Sequence, residues 1–297
     1  MEPTLATAPS PLPPTTPTAR RPLPAAPGYL TSSLRIMDLS IGEMLWSRRT
    51  VFMLLIVGAP VLIALVLRAL VSLGAPAITG PNNIRMTGPA IFGMMIWIFY
   101  LRFTVPVLGV FYGTSLIADE VEDKTITYLF SRPIPKGAVL TGKYLAYLAS
   151  TIFVVLPSVM LVYLLVVPMQ GSLGGSFLDL VKDLTLLALG LSVYGAVFAF
   201  IGAKFKRPLL IVLVFIFGWE QVALALPDYM KYFTVAYYLQ ALVPHAMPND
   251  GAMSLIQNIF RETPGLLTSL MGLAVIWAVF LFLATRVVER REYVLEQ

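Results

Sequence analysis

Residues 144–169 read YLAYLASTIFVVLPSVMLVYLLVVPM, with no charged side chain from Tyr144 to Met169. At 1.5 Å per residue, about 20 helical residues cross a hydrocarbon layer ~30 Å thick. An isolated open strand of the same composition would leave its backbone groups unpaired in lipid. The stretch therefore reads as a transmembrane helix. Five further apolar blocks flank it: Val51 to Leu73 and Gly88 to Ala118 before it, then Leu184 to Ala203, Pro208 to Leu226 and Gly265 to Thr285. Together they predict an all-α membrane protein with six transmembrane helices.

Composition agrees. Hydrophobic residues make up 58% of the 297 and charged residues 12%, where a soluble domain carries roughly 25% charged. The chain has no cysteine and one histidine, His245. That excludes a disulfide framework, a cysteine nucleophile and any site built on two histidines. The net charge of +5 comes from Lys and Arg in a few short stretches. No basic-aromatic surface accompanies them, so nucleic acid is not an expected partner.

Those basic stretches give the orientation. The amino-terminal segment carries Arg20, Arg21, Arg35, Arg48 and Arg49. The gap after the second block has Lys124, Arg132, Lys136 and Lys143, and the gap after the fourth has Lys204, Lys206 and Arg207. Arg286, Arg290 and Arg291 follow the sixth block, while the opposite gaps hold only Arg85, Lys182, Lys231 and Arg261. The positive-inside rule then places both termini in the cytoplasm, as an even number of spans requires.

Residues 1–32 are expected to be a disordered, proline-rich cytoplasmic tail, since nine prolines fall within residues 1–28 and few large apolar side chains are available to offset ordering. No apolar run follows Arg20 and Arg21, so the tail does not read as a signal peptide. From Ser33 to Arg49, Leu34, Met37, Ile41, Met44 and Leu45 recur at helical spacing. This predicts an amphipathic helix over 33–49, capped by Ser32 or Ser33 and lying on the cytoplasmic leaflet; an ordinary helix packed on protein is the alternative. The membrane-spanning body is expected over 50–290, with a short cytoplasmic tail over 291–297. Residues 227–264, rich in tyrosine and broken by Pro244 and Pro248, predict interfacial or re-entrant helices on the outer side.

The loop between the second and third blocks, residues 117–143, reads IADEVEDKTITYLFSRPIPKGAVLTGK. Asp119, Glu120, Glu122 and Asp123 open a short amphipathic helix, Lys124 and Thr125 continue it, and Arg132, Pro133 and Pro135 end it. A charged helix braced between two spans suits transmission of force from a soluble partner; a solvated connector fits the residues as well.

Glu120, Glu122, Thr125, Leu129, Ser131, Arg132, Pro133, Ile134, Gly142 and Lys143 form a pattern that resembles the membrane subunits of type-2 ABC transporters. The amphipathic helix, the six spans and the broken outer segment are similar to that family over roughly residues 33–290. The resemblance implies that 117–143 holds a cytoplasmic coupling helix that docks on a soluble ABC ATPase subunit. Asp119, Glu120, Glu122, Asp123, Lys124, Thr125, Arg132 and Pro133 would form the contact. It also implies a second copy or a homologous permease, a multi-pass place in the inner (plasma) membrane, and outward transport. No cofactor is expected on this chain, because ATP and magnesium would sit on the partner.

Gly137-Ala-Val-Leu-Thr-Gly142-Lys143-Tyr144 nearly matches a phosphate-binding loop. Tyr144 replaces the hydroxyl residue that would hold magnesium, and no strand precedes the motif, so it is not read as a nucleotide site.

Within the blocks, Arg68 lies near an outer end, where it can snorkel. Arg102 and Glu220 are deeper. A mid-bilayer charge costs at least ~2.5–3.5 kcal/mol on insertion scales and needs a partner or water. The helical rise places the two at depths several ångströms apart, a gap that long side chains can bridge, as an intramembrane charge pair. A structural lock is preferred over a substrate conduit, and both remain open. An intramembrane enzyme would need a catalytic constellation that no block contains. The function expected is the permease subunit of an ABC exporter; the alternative is a membrane anchor that recruits the ATPase without moving solute.

Overall fold

The computed structural model describes residues 28–74, 86–122, 135–169, 171–220, 222, 230–244 and 264–290, and these are helical with connecting turns. Helix α1 spans Tyr29–Leu45, α2 Arg48–Ser72 and α3 residues 88–122, whose final segment is Ser115–Glu122. Then come α4 (Lys136–Val166), α5 (Phe177–Lys204), α6 (Pro208–Glu220), α7 (Val235–Ala241) and α8 (Leu266–Arg290). Five of these, α2, α3, α4, α5 and α8, are long and apolar enough to cross a membrane. The block expected over 208–226 is described as the shorter apolar helix α6, and its last part lies outside the described residues.

α5 is the hub. About two thirds of its most apolar stretch (67%) is buried by the rest of the chain, against 11% for α8. Small residues let its neighbours approach closely, as lipid-embedded helices require. Gly109 of α3 lies under the Phe198 ring, Gly113 against Gly195, and Gly202 against the Thr114 carbonyl. On another side, Tyr147 of α4 lies over Gly195 and donates to the Leu191 carbonyl at 2.9 Å. Tyr144 donates to the Ser192 carbonyl at 2.7 Å and accepts from the Trp277 indole at 2.8 Å, which ties α4, α5 and α8 together.

The two ends of the bundle are marked by contacts. At one end the Gly88 amide donates to the Met169 carbonyl at 2.8 Å, so α3 starts where α4 finishes. At the other, Arg49 of α2 pairs with Asp119 of α3, and Gly137 of α4 abuts Glu289 of α8 and Tyr29 of α1.

α1 begins at Tyr29, four residues ahead of the expected start, with Gly28 in the capping position. Ser32 and Ser33 do not cap it. Both are buried inside the helix, and the Ser33 hydroxyl donates back to the Tyr29 carbonyl at 3.0 Å. Together with Ser40 they form a small-residue face; the Ser33 carbonyl and Ile36 lie against Gly142 of α4, and the Tyr29 hydroxyl meets the Thr141 hydroxyl at 2.8 Å. Leu30, Leu34, Leu39 and Trp46 remain exposed.

Arg102 and Glu220 both lie in wide helical turns. α3 contains π-helical segments over Ile96–Thr104 and Gly109–Gly113, and α6 ends in another over Phe215–Glu220. In α3 the Val105 amide bonds to the Tyr100 carbonyl, five residues back. The next residue, Pro106, has no amide hydrogen for the Arg102 carbonyl, so the regular ladder is interrupted there. Wide turns of this kind re-aim side chains and recur at functional sites.

Candidate functional site

Glu220 closes the π-helical end of α6 and is only 3% exposed. Tyr194 of α5 reaches it, with its hydroxyl 2.9 Å from each carboxylate oxygen. The backbone amides of Val235 and Ala236, in the first turn of α7, donate to the same carboxylate. Thr234, in the capping position of α7, makes no side-chain cap bond and turns its hydroxyl to the Lys231 carbonyl at 2.8 Å. Glu220 therefore caps α7 from a different helix. A carboxylate at a helix N-terminus is favoured by the unpaired amides and the dipole.

Arg102 of α3 faces this cluster. Its guanidinium lies 5.7 Å from the Trp97 ring centroid and interacts electrostatically with Glu220 and with the Tyr194 hydroxyl. Trp97, Arg102, Tyr194, Glu220 and Gln240 line one cavity of about 20 Å³, room for a single water. Taking one ion out of water costs several kcal/mol even after relaxation. Hydrogen bonds from Tyr194 and two amides, with a nearby guanidinium, offset that cost for Glu220. The cluster joins α3, α5, α6 and α7 through one carboxylate.

The cluster has the chemistry of a clamp. Among the described residues, no group of three or more His, Asp or Glu side chains could hold a metal.

The coupling residues fare differently. Asp119 pairs with Arg49 at 2.5 Å, and both side chains are partly exposed. Glu120 and Glu122 belong to the Ser115–Glu122 segment, with side chains outside the described residues. Asp123, Lys124, Thr125, Arg132 and Pro133 also lie outside them. Gly142 and Lys143, which carried part of the resemblance, sit in α4: Gly142 faces α1, and Lys143 is 9% exposed.

Sequence reasoning missed Tyr194, because a hydroxyl inside a charge-free apolar block gives no signal of its own. It also missed Asp183. The helix carrying Asp183 starts at Phe177, ahead of the apolar block, and Asp183 is fully buried. A spacing signal existed, since Asp183 shares a helical face with the buried residues Leu187 and Gly190.

The family model described as ABC-2 family transporter protein matches residues 36–293, from α1 through α8. No curated protein matches the chain.

Proposed function

The chain belongs to the ABC-2 family of transporter proteins, and on that premise we propose that it is the permease subunit of an ATP-driven exporter. A separate soluble ABC ATPase would supply the hydrolysis, docking on the segment from Ser115–Glu122 through Pro133. The observation that carries this reading is the family match over residues 36–293, which takes in α1, the spans and the intervening charged segment together.

The proposed working arrangement follows from the positions of the groups. Asp119, Glu120 and Glu122 lie where α3 emerges from the bundle, at the end that also holds Arg49, Gly137 and Glu289. In the exporter this end would be cytoplasmic, in an inner (plasma) membrane, and movement of the docked ATPase would reach α3 and α4 directly. The exposed apolar faces of α2 and α8 suit lipid and a second permease copy. The clamp around Glu220 would hold the outer segment α7 to the spans, so that motion of α3 and α6 is passed to the outer side.

A membrane anchor that recruits the ATPase without moving solute is favoured by one observation: the cavity among the charged spans holds about 20 Å³, far less than a solute needs. Reconstitution of the chain with its ATPase in liposomes separates the two. The exporter reading expects ATP-dependent movement of a co-purifying solute out of the ATPase-side compartment. ATP turnover with no solute movement, across a panel of amphipathic candidates, supports the anchor instead.

A further inference from the structure

At the Arg49 end of the bundle, a second cavity of about 360 Å³ lies between the first turn of α2, the last turns of α3 and the first turn of α6. That volume falls in the range of small-molecule sites. Its chemistry is split. One side is polar, where Arg49 and Asp119 pair at 2.5 Å with side chains 45% and 35% exposed. The other side is apolar: Phe52 and Phe111 meet edge to face at 4.6 Å between centroids, and Leu209 stands beside them. All three are exposed, and the apolar surface continues outward through Val51, Leu55 and Leu210.

We propose that this cavity binds the headgroup of a zwitterionic glycerophospholipid, with the acyl chains running along Phe52, Phe111 and Leu209. The polar groups at the cavity select the charge pattern. The Thr114 hydroxyl donates to the Val110 carbonyl at 2.5 Å and the Ser115 hydroxyl to the Tyr112 carbonyl at 3.0 Å, so both serve the backbone of α3. Recognition falls to Arg49 and Asp119. A purely anionic head would gain the guanidinium and meet the carboxylate; a purely cationic head would meet the reverse. A head carrying both a phosphate and an ammonium satisfies each partner with a charge-assisted hydrogen bond. The apolar walls open onto the exposed flank that a span presents to lipid, which makes a lipid of the adjacent leaflet the fitting occupant.

This inference goes beyond the exporter reading, because such binding requires neither nucleotide nor ATPase. The test titrates the full-length chain in a neutral detergent with dihexanoyl phosphatidylethanolamine, dihexanoyl phosphatidylglycerol and free phosphoethanolamine, read by native mass spectrometry. The expected result is one saturable phosphatidylethanolamine per chain, bound about tenfold tighter than phosphatidylglycerol, with little competition from free phosphoethanolamine. Arg49→Gln should weaken phosphatidylethanolamine about tenfold, and Asp119→Asn should invert the preference toward phosphatidylglycerol. Leu209→Trp should fill the cavity and abolish binding with the ion pair intact, and the thermal midpoint of each variant reports that it is folded. Equal affinity for the two lipids, unchanged binding in all three variants, or full competition by phosphoethanolamine overturns the proposal. So does a wild-type chain that takes up no lipid, as when a second copy covers Phe52 and Phe111.

Discussion

The Tyr194 hydroxyl stands 2.9 Å from both carboxylate oxygens of Glu220, centred on the carboxylate it serves. One tyrosine on α5 thus fixes the end of α6, and the same carboxylate fixes the start of α7 through the Val235 and Ala236 amides. Replacing Tyr194 with Phe removes a donor from a buried charged group and leaves the ring packing in place. The expected cost is about 1–3 kcal/mol, seen as a lower thermal midpoint in detergent. Glu220→Gln, which keeps a hydrogen-bonding group of the same size, should cost less than Glu220→Leu, which strands the two amides. Equal stability of all three variants with the wild type would remove the clamp.

Arg102 and Glu220 line one cavity and interact electrostatically, which predicts energetic coupling. Arg102→Met and Glu220→Gln should each destabilise the assembled protein, and the double variant should lose less than the two singles added. Couplings between groups of this kind run about 0.5–3 kcal/mol. A double-mutant cycle on thermal stability measures it, and strict additivity would show that the charges act separately.

Gly202 sits directly on the Thr114 carbonyl of α3, backbone against backbone. A methyl group there has no flexible side chain to displace, so Gly202→Ala must push α3 and α5 apart. The expected penalty is about 1–3 kcal/mol for overpacking, with lower yield of monodisperse protein. By contrast, Gly58 of α2 has open space around it, and Gly58→Ala should leave yield and thermal midpoint unchanged. A reversed order of the two effects would contradict the packing described for α5.

Much of the architecture was written in the apolar blocks. The spans of α2, α3, α4 and α8 follow from long hydrophobic runs, broken only by Arg68 in the first and Arg102 in the second, because a bilayer tolerates few charges. The start of α5 escaped that reading: Asp179, Lys182 and Asp183 break the apolar pattern, yet the helix continues through them, with Lys182 paired to Asp179 at 3.1 Å. The start of α1 was misplaced for a related reason. Ser32 and Ser33 look like caps in isolation, whereas their small size is what lets α1 lie on Gly142. Arg102 and Glu220 stood out as charges in apolar surroundings. Tyr194 and the α7 amides did not, since a tertiary partner supplied by another helix leaves no local pattern. The wide turns that aim both charges have only Pro106 as a sequence trace.

Residues 1–27 precede the Gly28 cap of α1, and their composition offers few apolar side chains for packing. Deleting them should leave membrane insertion and thermal midpoint unchanged. Loss of assembled protein on deletion would assign that segment a structural role.

In the proposed division of labour this chain spans the membrane, and a soluble ABC ATPase docked at the charged end of α3 would hydrolyse the nucleotide. Its most direct measurement is ATP turnover by the chain alone, by the chain with its ATPase, and by the Glu120→Lys, Glu122→Lys variant with the same ATPase. Reversing these charges should disturb docking to a complementary partner more than neutralising them. The isolated chain should show no turnover, the complex should show turnover that responds to the wild-type chain, and the double variant should lose that response with its thermal midpoint unchanged. ATP hydrolysis by the contaminant-free chain alone, or a double variant that binds and stimulates the ATPase like the wild type, would contradict it.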